Sequence, residues 1–265
     1  MNKMTKIALG IVILTLLINI NLYIFRPLGE NFYIISDWVL VVCAFAAMVL
    51  GFYAFKFHGF KSIQGKALFF LSLGVLFWFF GEFSWAFLEV VMGIEVPFPS
   101  IGDLFWYIGY PLFFVGLYYI WKTIGTKIKC NMKCLSILVL MLILIAVSIY
   151  GCYPTFIDVE MTLFEKTLSI GYVALDLILV VSGLFILLTF SKGNLLKPWF
   201  FIILSLIVCT FADISFTLAG SLYETGGLLD FLWNFDYILL AFGFFYYRQI
   251  ITEAIKDGKH LKKRD

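Results

Sequence analysis

Charge is scarce in this sequence, and positive charge is missing where the chain is most apolar. Asp, Glu, Lys and Arg make up 14% of the 265 residues, against 63% hydrophobic residues. Soluble domains carry about 25% charge and roughly half apolar residues, so this chain could not clothe a water-facing surface. Histidine is limited to His58 and His260, and the five cysteines (Cys43, Cys130, Cys134, Cys152 and Cys209) form no CxxC pair. With neither His nor Cys beside its acids in sequence, the chain is not expected to hold zinc. No Ser–His arrangement, HExxH or phosphate-binding Gly-rich loop occurs, so nucleophilic and zinc-hydrolase chemistry lack support. Nothing in the chain implies a cofactor or a nucleic-acid partner.

What is present is a series of long apolar runs. A bilayer core about 30 Å thick needs roughly 20 apolar helical residues to span it. Eight segments qualify: 7–25, 33–55, 67–92, 104–121, 134–153, 168–190, 198–220 and 231–249. The gaps between them hold charge, Pro or Gly, and none is long enough for a soluble domain. The expected fold is therefore an all-α integral membrane protein. A single eight-helix domain covers residues 1–249, and a basic tail, 250–265, lies along the inner leaflet. The first span has no small-residue cleavage site before Arg26 and Pro27, and is expected to be retained.

Basic residues set the orientation. All but Arg26 and Lys166 of the 19 Lys and Arg residues fall on one side, at the N-terminus, the even-numbered connections and the C-terminal end. Arg248 sits at the inner end of the last span. The basic side is expected to be cytoplasmic, which puts both termini inside the cell membrane.

Acids do occur within the spans: Asp37, Glu82, Glu89, Asp176, Asp213 and Asp236. All fall in the outer halves of their segments. An acid at the centre of a helix costs about 2.5–3.5 kcal/mol to insert, less toward the interface, so these acids are expected to face the bundle interior. Trp78, Glu82, Trp85 and Glu89 share one helical stripe, and Thr210, Asp213, Thr217 and Ser221 share another. Asp103 and Asp230 begin the fourth and eighth spans, where an aspartate caps free backbone amides. Asp37 reads either as a pocket residue or as an interfacial residue reaching water. With no basic residue nearby, either several acids carry protons or they attract cations. Trp and Tyr alongside them suit a proton, a metal ion or an organic cation.

The two halves of the chain resemble each other. Residues 103–119 align on 230–246 without gaps, with identities at Asp103/Asp230, Trp106/Trp233, Tyr110/Tyr237, Leu112/Leu239, Gly116/Gly243 and Tyr119/Tyr246. Chance would give roughly one or two. Glu82 with Ser84 matches Asp213 with Ser215, and Asp37 matches Asp176. The expectation is two parallel four-helix repeats, 1–129 and 130–249, related by a pseudo-twofold axis along the membrane normal. A ligand or cation site between them would comprise Glu82, Asp213, Asp176, Asp236, Ser84, Trp85 and Tyr237. Asp103, Asp230 and Asp37 would serve as caps or a secondary site.

The stretch Pro99-Ser100-Ile101-Gly102-Asp103, with Trp106, Tyr107, Tyr110, Pro111, Leu112, Gly116 and Leu117, resembles a motif of known membrane sensors. It is similar to PSxADxxYxxxYPLxxxGL, found in multi-helix regions that precede bacterial diguanylate cyclase domains and some archaeal sensor kinases. Gly102 stands where alanine is usual. The resemblance covers residues 80–119 and implies a sensory input module, here without an output domain, that would signal through a separate cytoplasmic partner. A fainter likeness to lysoplasmalogenase-type membrane hydrolases rests on Gly81-Glu82 and Ala212-Asp213. Three functions follow: a stand-alone sensor or ligand-binding module first, then a cation- or proton-coupled transporter, then a lipid hydrolase using paired carboxylates. The sequence specifies no oligomeric state. In a cysteine-free background, Asp158→Cys is expected to react with an impermeant thiol reagent from outside the cell. Lys127→Cys should react only from inside; the opposite pattern overturns the orientation.

Overall fold

The computed structural model describes residues 3–124, 132–189 and 195–261. Its helices are α1 (Lys3–Phe25), α2 (Phe32–His58), α3 (Ile63–Ala86), α4 (Ile101–Ile124), α5 (Met132–Ile157), α6 (Leu163–Thr189), α7 (Leu196–Ala219) and α8 (Leu228–Leu261). All eight are long and apolar enough to cross a membrane, and no strand occurs among the described residues. This is the expected outcome in hydrocarbon, where a helix alone satisfies its own backbone polar groups. Each expected span falls on one helix, and the protein is a multi-pass membrane protein. Eight crossings return the chain to the end where it began. The opposite, far end holds the connections 92–100 and 220–227.

Two features depart from the expected outline, and a third, the continuity of α4, accords with a single span. Beyond Ala86, α3 continues through a π-helical turn, Phe87–Val91, which carries Glu89. Such turns widen a helix and are frequent at functional sites. The tail expected from residue 250 begins as helix, since α8 runs on to Leu261. Residues 262–265 lie outside the described residues, as do the connections that carry Lys127, Lys129, Cys130 and Lys192. Finally, α4 runs unbroken through Pro111 and Gly116.

Helices α2, α3, α4, α6, α7 and α8 form the packed centre. The tightest pairing is α3 with α4, followed by α2 with α3, α7 with α8 and α2 with α8; α4 also meets α6. The α3–α4 seam alternates large with small residues. Gly74 receives Phe113, Gly81 receives Trp106, Gly109 receives Trp78, and Gly116 receives Leu71. Small residues let backbones approach, which is how helices associate where lipid is as apolar as the side chains. The α7–α8 seam repeats one of these contacts, with Gly243 against Ile202. By contrast, α1 packs on α8 while α5 packs on α6 and α7, and both expose most of their length. Near the chain ends, the Arg248 guanidinium lies 4.2 Å from the Phe57 ring centroid and 5.1 Å from that of Tyr53.

A Cβ at Gly116 would sit 2.6 Å from Leu71 Cγ, and one at Gly243 2.6 Å from Ile202 Cγ1, whereas Gly10 has nothing within 4 Å. Gly116→Ala and Gly243→Ala are therefore expected to destabilise the protein by about 1–3 kcal/mol through overpacking. Gly10→Ala should leave stability unchanged or slightly higher. Thermal unfolding in detergent micelles measures the contrast; equal midpoints for all three variants would overturn the seam.

Candidate functional site

A cavity of about 120 Å³ lies among α2, α3, α4, α6, α7 and α8, and neither α1 nor α5 lines it. Its wall carries six carboxylates: Asp37, Glu82, Asp103, Asp213, Asp230 and Asp236. Among the described residues, no Lys, Arg or His lines it. The rest of the wall is largely aromatic, with Trp78, Trp85, Trp106, Trp233, Tyr110 and Tyr237 prominent. Phe98 and Tyr223, from the far-end connections, mark the shallow side, and Leu40, Trp78 and Cys209 lie deeper along their helices.

Uncharged donors hold these acids in place of basic residues. Glu82 Oε1 accepts from Tyr237 OH at 2.8 Å and from Trp106 Nε1 at 3.1 Å. Asp213 Oδ1 accepts from Trp233 Nε1 at 2.8 Å. Trp106 thus reaches from α4 to the acid of α3, and Trp233 reaches from α8 to the acid of α7. Asp176, which does not line the cavity, lies beside Asp213 and accepts from Tyr110 OH at 2.8 Å through Oδ1. On the π-helical turn, Glu89 Oε2 accepts from Trp85 Nε1 at 2.7 Å and from Thr225 Oγ1 at 3.1 Å. A carboxylate can only accept, so rings of Tyr OH and Trp N–H suit it without neutralising its charge.

Asp103 and Asp230 reach back to backbone amides, as helix-starting acids should, but from the third helical position. Asp103 Oδ2 accepts from Ser100 N at 2.6 Å and Ser100 Oγ at 2.9 Å, and the Ser100 hydroxyl accepts from Gly102 N. This is a capping box in which Ser100 is the cap. Asp230 Oδ2 accepts from Gly226 N at 2.7 Å. Each acid also takes a bond from the other half of the chain: Asp103 from Tyr172 OH of α6, Asp230 from Ser36 Oγ of α2. Capping and site-building coincide at both positions. Asp37 is buried rather than reaching water at an interface, and its Oδ2 has no hydrogen-bond partner.

Of the residues expected at the site, Glu82, Asp213, Asp236, Trp85 and Tyr237 line the cavity and Asp176 adjoins it. Ser84 does not. Its hydroxyl bonds Phe80 O of its own helix at 2.6 Å, and it is absent from the wall. The reason is helical geometry: two residues on from Glu82 is nearly the opposite face. Three contributors were not expected. Cys209 lies one turn before Asp213 on α7, so a cysteine does stand beside the acids although none is adjacent in sequence. Tyr172 stands one turn before Asp176. Tyr23 comes from α1, linking a chain in which Asn234 Nδ2 donates to Tyr23 OH at 2.7 Å. Tyr23 OH donates to Ser36 Oγ at 2.7 Å, and Ser36 to Asp230 at 2.7 Å. An i, i+4 search around each acid finds the first two, but no sequence pattern connects Tyr23 to Ser36.

No family model, curated protein or solved structure matches this chain.

Breaking the Asn234–Tyr23–Ser36–Asp230 chain leaves buried polar groups unpaired, which costs about 1–3 kcal/mol. Tyr23→Phe and Ser36→Ala are expected to lower thermal stability by that order. Because the two act on one chain, the double variant should lose less than the sum of the single losses. Strict additivity across a double-mutant cycle would show that the chain does not act as a unit.

Proposed function

We propose that this protein is a membrane sensor or ligand-binding module that takes a cation or proton into its acidic, aromatic-walled cavity. The observation that carries this reading is the wall itself, six carboxylates with no basic side chain among the described residues. Such a wall carries excess negative potential, which draws cations in, and aromatic faces add to their attraction. On this reading the chain is two parallel four-helix repeats, and the termini are cytoplasmic with the cavity opening to the outside. The matched bonds of Trp106 to Glu82 and Trp233 to Asp213 support the repeat. So do the matched seams at Gly116 and Gly243. The resemblance of residues 80–119 to sensor regions supports a sensory role. A transporter is less well supported, because its binding site commonly uses discontinuous helices and α4 is unbroken here. The Glu82–Asp213 pair alone would have to carry the chemistry of a hydrolase.

Glu82→Gln and Asp213→Asn keep the side-chain shapes and remove charge. Both are expected to fold and to change proton uptake and organic-cation binding, the latter probed with tetramethylammonium. Potentiometric titration of protein in nanodiscs and isothermal titration calorimetry measure the two effects. Parent-like behaviour of both variants at every pH would overturn the reading.

A further inference from the structure

The deep side of the cavity has a chemistry its mouth lacks. Asp176 of α6 and Cys209 and Asp213 of α7 each offer a ligand atom, and these atoms all lie within 4.8 Å of one another. A fourth acid, Asp236 of α8, lines the cavity with Cys209 and Asp213. In two of these carboxylates one oxygen is held by an aromatic donor. Asp176 Oδ1 is held by Tyr110 OH and Asp213 Oδ1 by Trp233 Nε1. Asp176 Oδ2 is buried with no hydrogen-bond partner, and Asp236 Oδ1 is likewise buried and unpartnered. Both side chains are 2% exposed. Buried polar atoms are ordinarily paired, and Asp176 with Asp213 and Cys209 with Asp236 already interact directly; a cation held among all four would meet both unpartnered oxygens at once. Aromatic donors on the outer oxygens are also what metal-binding carboxylates use to fix their orientation.

We infer that Asp176, Cys209, Asp213 and Asp236 bind a divalent transition-metal ion of the zinc class at the inner end of the cavity. Resting on the reading of the cavity as a cation site, this names the cation. A thiolate disfavours Mg²⁺ and Ca²⁺, which take all-oxygen shells, and three carboxylates disfavour Cu⁺. Zn²⁺ and Co²⁺ accept mixed oxygen and sulfur donors in tetrahedral geometry. Bond lengths of about 2.0–2.3 Å place such donors roughly 3.3–3.8 Å apart, so Asp176, Cys209 and Asp213 need close by no more than about 1.5 Å, and Asp236 joins them from the facing helix. The Cys209 thiol gives up its proton to water as the metal–sulfur bond forms. The aromatic wall then lies between the ion and the mouth.

Cobalt tests this directly, because a thiolate bound to Co²⁺ gives an intense near-ultraviolet charge-transfer band. The full chain would carry Cys43→Ser, Cys130→Ser, Cys134→Ser and Cys152→Ser, leaving Cys209 as its only cysteine. Purified in detergent, it should develop that band and saturate at about one Co²⁺ per chain, with Zn²⁺ displacing it and Mg²⁺ not. Cys209→Ser should abolish the band, and Asp176→Asn and Asp236→Asn should each weaken binding at least about tenfold. Thermal unfolding in EDTA checks that the variants fold; if Cys209→Ser does not, the two Asn variants carry the comparison. No band in the Cys209-only protein, or a band that survives Cys209→Ser, overturns the inference. If the band is missing while Glu82→Gln still alters proton or tetramethylammonium binding, the metal is refuted and the cation cavity stands. If all three responses are missing, both fall.

Discussion

The arrangement of the packed helices follows from one constraint: carboxylates are buried among them and, among the described residues, no Lys or Arg lines their cavity. Glu82, Asp176, Asp213, Asp103 and Asp230 find Tyr, Trp or Ser hydrogens or a free backbone amide, mostly from a neighbouring helix. Trp106 must cross to α3, Trp233 to α7, Tyr110 to α6 and Tyr237 to α3. Those crossings fix which faces of the helices meet. The glycines on α3 and α4 are the steric counterpart, since an indole reaching across a seam needs a missing side chain opposite it. The polar network and the large–small packing are two aspects of one solution, and disrupting either disturbs the other.

The number and limits of the helices were legible because crossing hydrocarbon demands a length and an apolarity that are local properties of the chain. The acids were legible for a related reason: an ionisable group in such a segment is expensive and therefore turned inward, and Asp37, Asp176 and Asp236 are each buried. The stripe Trp78, Glu82, Trp85 and Glu89 places its first three residues on the cavity wall, while Glu89, on the π-helical turn, lies off it. The spacing of two that attached Ser84 to Glu82 was a similarity between halves, not a helical neighbourhood, and it misled. Tyr23 was out of reach because it joins the network through Ser36 and Asn234, on two other helices, and no periodicity reports such a meeting. The π-helical turn at Glu89 was equally hidden, since it depends on one extra residue being accommodated after Ala86.

Helices α1 and α5 pack differently from one another. Both are mostly exposed, yet α1 leans on α8 and supplies Tyr23 to the Asp230 network, whereas α5 stays with α6 and α7. The cavity lies among the six other helices, so these two can differ without altering its wall. Asp230 gains a support that Asp103 lacks, and its surroundings are correspondingly more enclosed: 2% exposed against 7%.

Helix α8 has 34 residues, about 51 Å at 1.5 Å per residue, while a bilayer core is about 30 Å thick. Asp230, Trp233, Asp236 and Tyr237 occupy one end of it, and the other overshoots the hydrocarbon. Arg248 lies twenty residues beyond Leu228, about 30 Å along the axis, so its guanidinium on the rings of Phe57 and Tyr53 sits where the helix leaves the hydrocarbon.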